Sequence, residues 1–353
     1  MLIYVLNGLN GITDAIETFE SVIWNVQFFG PNDFELKLPG TDKNINDLSI
    51  GTYLVREDDV TASGYKNVMM VRERTIDFDN EKGWILTLTG SGLKTIVGQR
   101  VVWKQTNLTG SVEAGLRSVI TNNIISPTDN TRKINDFILD TKAGYTDTFE
   151  VQLLGENIEE WIESVCQTYG IGWDVFINNG KYVFTTKKGA DRTYNQSVNI
   201  PVVFSPEYDN LATSEYKENK SEYKNAALIG GEGEGVDQRY STIGTASGLN
   251  RYETYIDGSG VSSNGEIITE AQYYVLLQNY GKEQLSNYNA NNKDISGTVL
   301  PNGMYNLNVD YFLGDLVQII NKGISAVTRI TEIIYSEDAT GLQIVPTFSE
   351  WED

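Results

Sequence analysis

The feature that most restricts the fold of this chain is an alternation of apolar and polar side chains with a period of two. Residues 34–38 alternate in this way, and residues 66–78 and 84–89 form two further runs separated by the turn-rich segment 79–83. Successive side chains of a strand point to opposite faces, so this period predicts half-buried strands. Asp, Asn and Gly adopt the turn conformations that hairpins need. The first hundred residues are therefore predicted to be β-strands.

The middle of the chain, from about residue 105 to 200, has a mixed pattern. Ser111 is the predicted N-cap of a helix over residues 112–122. Asn157 is the predicted N-cap of a second helix, in which apolar residues recur at helical spacing until Gly170. Strands are predicted at 172–177 and 181–186, because an Asn-Asn-Gly turn separates them.

From residue 200 onward the pattern is again mainly β. The exception is residues 269–288, where Thr269 and Gln272 fit a capping box and an apolar stripe follows. The last predicted strands cover residues 315–320, 326–335 and 342–348. The pattern predicts a mainly β fold with an α+β insertion. At roughly 150 residues per domain, the 353 residues predict two or three domains.

The chain is strongly acidic, with 48 Asp and Glu, 27 Lys and Arg, and a formal net charge of −21. This balance opposes binding to a nucleic-acid backbone or an anionic membrane, since both require clustered cations. No segment approaches the roughly 18 consecutive apolar residues of a membrane span. Residues 1–6 lack the basic lead of a signal peptide and are predicted to form a strand. We expect a soluble protein made in the cytoplasm, whose 20 Tyr and 6 Trp favour extensive contact surfaces.

The chain contains no histidine and a single cysteine, Cys166. Histidine is the commonest general base and transition-metal ligand, so its absence removes most nucleophile–base arrangements and zinc sites. Cys166 lies beside the apolar stripe of the second predicted helix and is predicted to be a packed thiol. We therefore assign no catalytic, cofactor-binding or metal-binding residue, and expect neither enzymatic activity nor a cofactor.

Carboxylate chemistry is the enzymatic alternative that remains, since a glycoside hydrolase needs only two acids. Glu232, Glu234 and Asp237 lie in or beside the glycine-rich stretch 230–235, which also invites comparison with a phosphate-binding loop. Val236 occupies the third glycine position of such a loop, and acidic side chains repel phosphate. The stretch is predicted to be a structural connection between strands.

Residues 77–81 carry the spaced oxygens of a calcium-binding loop. Lys82 stands where an EF-hand requires glycine, and the flanking residues favour strands rather than helices. The segment is predicted to be a hairpin turn.

Nine strand-and-turn segments occur in a characteristic order along the chain: residues 24–28, 33–39, 70–74, 86–100, 225–233, 248–257, 311–317, 329–333 and 346–348. Together they resemble a family of siphophage tail proteins found at the tail tip. That family is related to the baseplate hubs of contractile tails and to the N-terminal hub portion of tail-associated lysins. The resemblance runs from about residue 20 to 348, and residues 105–200 match in pattern only.

The resemblance implies two β-barrel-like hub domains, residues 1–103 and 204–353, with a helical insertion at about 269–288 in the second. Residues 104–203 would form a peripheral α+β domain. The resemblance also implies a homotrimeric ring in the virion, at the tail tip of a phage or phage-derived particle. Such a ring joins the tail tube to distal receptor-binding or cell-puncturing components and surrounds the DNA exit channel. An acidic channel lining would keep exiting DNA from adhering, since like charges repel.

The implied partners are other copies of the chain, the distal tail protein and tail tube, the tape measure protein, and tail fibre or spike proteins. Neither specific nucleic-acid binding nor membrane insertion is expected. The sequence stops at Asp353 without a peptidoglycan-hydrolase domain, so any lytic activity is expected on a separate protein.

Two other classes of function stay open. A carbohydrate-binding tail adhesin is favoured by the Tyr and Trp content, because sugars stack on aromatic rings. A cell-wall hydrolase would depend on Glu232 or Glu234. Residues 313–317 and Arg329 also allow two interpretations: structural pairing, with Arg329 beginning the outward-facing set of its strand, or direct recognition of a partner.

Overall fold

A computed structural model describes residues 1–263, 268–289, 293–300 and 303–351. The fold is mainly β, with 43% strand and 22% helix, which confirms the predicted class. The predicted strands of the first hundred residues are present, including the hairpin that turns at residues 79–83. The elements of this part are β1 (Ile3–Leu6), β2 (Ile12–Ile16), β3 (Ser21–Gln27), β4 (Asp33–Pro39), α1 (Asp42–Asp47), β5 (Tyr53–Arg56), β6 (Val60–Thr61), β7 (Gly64–Tyr65), β8 (Met69–Asp79) and β9 (Gly83–Gly92).

Both predicted helices of the middle region form, and each begins at its predicted cap. The Ser111 hydroxyl accepts a hydrogen bond from the Ala114 amide at 3.4 Å, and the Asn157 side chain accepts one from the Glu159 amide at 3.0 Å. Gly170 ends the second helix with a φ of 60°. The elements are β10 (Thr106–Ser111), α2 (Val112–Ile120), β11 (Phe137–Leu139), β12 (Thr148–Leu153), α3 (Ile158–Tyr169), β13 (Gly172–Asn178) and β14 (Lys181–Lys187).

The predicted capping box of the last helix is also present. The Thr269 amide donates to Gln272 Oε1 at 2.9 Å, and the Gln272 amide donates to the Thr269 hydroxyl at 3.3 Å. The remaining elements are β15 (Val203–Phe204), β16 (Leu211–Glu218), β17 (Ala226–Gly230), β18 (Tyr240–Ile243), β19 (Glu253–Asp257), α4 (Glu270–Asn289), β20 (Lys293–Val299), β21 (Leu316–Asn321), β22 (Ile324–Asp338) and β23 (Gly341–Trp351).

One large sheet combines strands from the two ends of the chain. Its order is β15-β21-β22-β3-β4-β9-β8-β5-β1-β2, with β23 paired to β22. The two ends of the chain meet where β3 pairs antiparallel with β22, so that Trp24 lies opposite Tyr335. No closed barrel is found in the described part of the chain, so the prediction of two barrels is not confirmed. The division at residues 103 and 203 stays a prediction.

The part of the chain that the structure describes contains three apolar cores. The first core is formed mainly by side chains of the large sheet and includes Trp24. The second joins α2, α3 and the sheet β11-β14-β13-β7-β6, and includes Trp173. The third packs α4 against the sheet β18-β17-β19 and includes Tyr273. The predicted helical insertion therefore has its own small sheet as a partner, and it also contacts β12 and α3.

Phe28 lies directly after β3 and faces Gly172 at the start of β13. Its ring is fully buried between the backbones of Gly172 and Gly314. A Cβ added to Gly172 would lie 2.2 Å from the ring, and one added to Gly314 would lie 2.1 Å away. Both positions therefore need glycine for close approach to the ring.

Candidate oligomer interface

The hairpin of β8 and β9 has an outer edge that is mostly unpaired. The two strands pair along their length, from Met69 opposite Gly92 to Asp79 opposite Gly83. On its other side, β8 pairs with β5 only at Met69 and Met70. Within the described residues, no strand pairs with the outer side of 72–79. We call residues 72–79 together with Trp84 the hairpin edge.

The hairpin edge also carries exposed apolar side chains. Ile76, Phe78 and Trp84 are 37%, 59% and 56% exposed, and the rings of Phe78 and Trp84 lie 5.1 Å apart. Ile76 lies opposite Leu86, which is fully buried. Because directly opposed residues share a face, the apolar face that covers the core continues outward along the hairpin. Apolar surface beside unpaired backbone is typical of a strand-addition interface.

The hairpin's own cations are engaged within the chain. Arg74 Nη1 donates to the carbonyl of Ile45 in α1 at 2.8 Å, and Arg72 Nη2 donates to the Thr95 hydroxyl at 3.0 Å. These bonds anchor the base of the hairpin. The apolar pair near its tip is thus the part that is available to another molecule.

The turn at the tip of this hairpin is the segment with the spacing of a calcium loop. Asp79 Oδ1 accepts hydrogen bonds from the amides of Lys82 and Glu81, at 2.9 and 2.8 Å. These bonds hold the pKa of Asp79 below its ordinary value. The predicted hairpin turn is confirmed. Across the residues that the structure describes, no group of three or more Asp, Glu, Cys or His side chains is arranged to hold a metal ion.

The acidic glycine-rich stretch is a structural connection, as predicted. The Glu232 carboxylate accepts hydrogen bonds from the Ser262 hydroxyl and the Ser263 amide, both at 2.8 Å. Burial alone would raise the pKa of Glu232, but the effect of these hydrogen bonds is larger, so the pKa lies below its ordinary value. A glycosidase acid needs a raised pKa instead. Glu234 and Asp237 are exposed, so the three acids do not form a pocket.

The glycines of this stretch serve packing against α4. A Cβ added to Gly231 would lie 2.2 Å from the Tyr273 hydroxyl, which accepts a hydrogen bond from the Glu232 amide at 2.6 Å. The loop is therefore closed by a tyrosine and leaves no cradle for phosphate.

Cys166 is fully buried in the second core, and burial raises the pKa of its thiol. This confirms the prediction of a packed thiol.

The segment around residue 315 is a structural junction. Asp315 is 3% exposed and accepts hydrogen bonds from the Ala190 amide at 2.7 Å, Arg192 Nε at 2.6 Å and the Phe312 amide at 3.0 Å. The prediction that Arg329 points outward was wrong. Arg329 is 7% exposed and donates to the Gly314 carbonyl at 2.9 Å, because that carbonyl requires a donor inside the fold.

Reasoning from the sequence placed Ile76, Phe78 and Trp84 in strands but did not single them out as a surface. Their pattern is that of ordinary core strands, and their exposure arises because β5 begins only at Tyr53, which lies opposite Met70. Within the described ranges, none of the helices combines the length and the apolar character needed to cross a bilayer.

A sequence model of the Siphovirus ReqiPepy6 Gp37-like protein family matches residues 2–348. The tail protein from Neisseria meningitidis MC58 shares the fold with a TM-score of 0.60 at 15% identity, covering 99% of this chain and 96% of that one. The 43 kDa tail protein of prophage MuSo2 from Shewanella oneidensis gives a TM-score of 0.59 at 14% identity, covering 99% and 98%. No relative matches among curated protein sequences.

At these identities the solved structures show a shared fold, and the family match supplies the relationship. It extends over nearly the whole chain and confirms the resemblance to siphophage tail proteins that the ordered segments indicated. The chain belongs to the Siphovirus ReqiPepy6 Gp37-like protein family, a family of siphovirus tail proteins.

Proposed function

We propose that this protein is a structural hub of the tail tip, where copies of the chain form a ring between the tail tube and the distal components. The observation that carries the proposal is the hairpin edge, where unpaired strand backbone adjoins an exposed Phe78–Trp84 pair. Tail proteins with the same fold over their full length support the location.

Ring closure follows from the type of contact. If the hairpin edge of one copy contacts a different surface of the next, the contact is heterologous, and it forms a ring when the rotation between neighbours closes. We propose three copies, in which the two hub halves of each chain provide six similar positions that match a sixfold tube. The proposed neighbours are the distal tail protein and tail tube, the tape measure protein, and fibres or spikes.

In this proposal the role is mechanical rather than catalytic. The ring would surround the DNA exit channel, and the net charge of −21 would limit adhesion of DNA to the wall. A cryo-EM reconstruction of tail tips would locate the ring. A channel lined by Lys and Arg would contradict the charge argument.

We expect the purified protein to have about three times the 39.4 kDa mass of one chain in multi-angle light scattering. A Phe78→Glu, Trp84→Glu double variant should remain a monomer, because it places charges on the apolar contact and leaves the core unchanged. Thermal unfolding should be close to that of the parent, since both side chains are exposed.

The matched control is Leu249→Glu, which replaces an apolar side chain that is 97% exposed in a loop outside the hairpin edge. This control should assemble like the parent. A parent that stays monomeric at high micromolar concentration would contradict self-assembly. A double variant that still forms trimers would show that the contact uses another surface.

A further inference from the structure

A cavity lies where β12, α3 and α4 meet. Its volume is about 190 Å³, and its walls include Phe149, Val151, Val165 and Tyr169. An engineered cavity of about 150 Å³ is large enough to bind benzene. This cavity can therefore admit one slender side chain, but not a large ligand.

Polar contacts hold α4 and its neighbouring loop against β12. Asn279 Nδ2 donates to the Glu150 carbonyl at 3.1 Å. The Gln152 amide group donates to the Ser262 carbonyl at 3.0 Å and accepts from the Ser262 amide at 2.8 Å. These bonds fix the separation of the walls, so the cavity is formed before any ligand arrives.

Glu150 and Glu283 both line the cavity, and among the described residues neither carboxylate forms an ion pair. The Glu283 carboxylate is the one that a neighbouring helix holds in place. Its Oε1 accepts a hydrogen bond from the Ser164 hydroxyl at 3.1 Å. Lys282 also lines the cavity, but adjacent positions of a helix do not face each other. Burial raises the pKa of Glu283, and the Ser164 bond opposes this only in part.

We propose that this cavity receives the side chain of a lysine from a partner protein. The apolar walls suit the aliphatic stem of lysine, and Glu283 Oε2 accepts its ammonium group. Lysine fits better than arginine, because the Ser164 hydroxyl competes for one carboxylate oxygen and the cavity of about 190 Å³ suits a slender side chain. A guanidinium group prefers two free oxygens, whereas an ammonium group needs only one. The inference goes beyond the hub role and does not depend on ring assembly.

The test uses Nα-acetyl-lysine amide as the probe and Nα-acetyl-norleucine amide as its neutral counterpart. We expect the lysine probe to shift the NMR methyl signals of Val151 and Val165, with a Kd of roughly 1 mM. The norleucine probe should bind at least about tenfold more weakly. The Glu283→Gln variant should bind the lysine probe more weakly than the parent by a similar factor. The control Glu160→Gln, which changes an exposed carboxylate of α3, should leave binding unchanged.

Three results would overturn the proposal. They are equal binding of the two probes, unchanged lysine binding in Glu283→Gln, and an absence of shifts at both valines. An Nα-acetyl-arginine amide that binds as tightly as the lysine probe would overturn the choice of lysine.

The pH dependence of stability gives a second measurement. Since the folded pKa of Glu283 is raised above its ordinary value of 4.5, its contribution to stability is complete at low pH and is lost as pH rises through the folded pKa. The Tm of Glu283→Gln minus the Tm of the parent should therefore increase as the pH rises from about 4 to about 8. A lower Tm for the variant at about pH 8 would show that the carboxylate already has a favourable partner within the chain.

Discussion

Phe28→Ala is expected to lower the free energy of unfolding by about 3–5 kcal/mol, the usual cost of truncating a buried phenylalanine. The ring is fully buried between two glycine backbones, that of Gly172 in β13 and that of Gly314 just before β21. Neither backbone can move inward easily, because Gly172 is paired within β13 and Gly314 is hydrogen-bonded through its amide to Ile330 and through its carbonyl to Arg329. Urea unfolding followed by tryptophan fluorescence would measure the loss.

A double-mutant cycle isolates the fit between this ring and its glycine neighbour. Gly172→Ala alone should cost about 1–3 kcal/mol, because its methyl group would overlap the Phe28 ring. In the Phe28→Ala background the same methyl group has space. The double variant should then be more stable than the sum of the two losses predicts, by about 1–3 kcal/mol.

Gly260→Ala is the matched control for this cycle. Nothing lies within 4 Å of a Cβ at Gly260, and its φ is outside the left-handed region. Its effect should stay within about 0.5 kcal/mol. Additive losses in the cycle would show that the ring has room to shift, contrary to the packing described here.

Asp315→Asn should destabilise the protein by about 3–5 kcal/mol, which is the usual cost of removing one partner of a buried ion pair. The variant keeps the volume of the side chain but leaves the Arg192 guanidinium without its counter-charge. An amide nitrogen in place of an oxygen would also face a backbone N–H donor, that of Ala190 or Phe312. Chemical denaturation would measure the effect.

Two comparisons test the cause of that loss. Asp58→Asn removes an exposed carboxylate and should change stability by less than about 0.5 kcal/mol. Arg192→Gln combined with Asp315→Asn should cost less than the two single changes added together, since no uncompensated buried charge remains. If Asp315→Asn is as stable as the parent, Asp315 contributes little to the junction.

Asp315 and Phe28 both belong to the junction around residue 315. Asp315 accepts from Ala190, just after β14, and Gly314 contacts the Phe28 ring. The junction therefore joins the strands that follow residue 300 to the middle region of the chain. A hub that transmits load along a tail would need such a connection to be rigid, and the two predicted losses measure how firmly it is held.

The sequence predicted most of the local structure. The period of two at residues 34–38 gave β4, and the turn residues at 79–83 and 178–180 gave two hairpins. The caps at Ser111, Asn157 and Thr269 located the helix starts. These signals are reliable because they depend on backbone geometry and on hydrogen bonds within a few residues.

The candidate interface was less accessible to such reasoning. Phe78 and Trp84 have the pattern of buried strand residues, and their edge is unpaired because β5 begins only at Tyr53, opposite Met70. Glu283 likewise belongs to an ordinary amphipathic helix in sequence. Its unpaired carboxylate depends on how α4 lies against β12 and α3.

The sequence alone determined a mainly β chain with an α+β region, the positions of its turns and caps, and a resemblance that the family match confirmed. The tertiary structure decided that β3 pairs with β22, that Arg329 is buried beside a backbone carbonyl, and that the hairpin edge stays open. The physical reason is the separation along the chain over which each interaction acts. Periods, caps and turns act over a few residues, whereas pairing across some 300 residues and the burial of a cation depend on how every element packs at once.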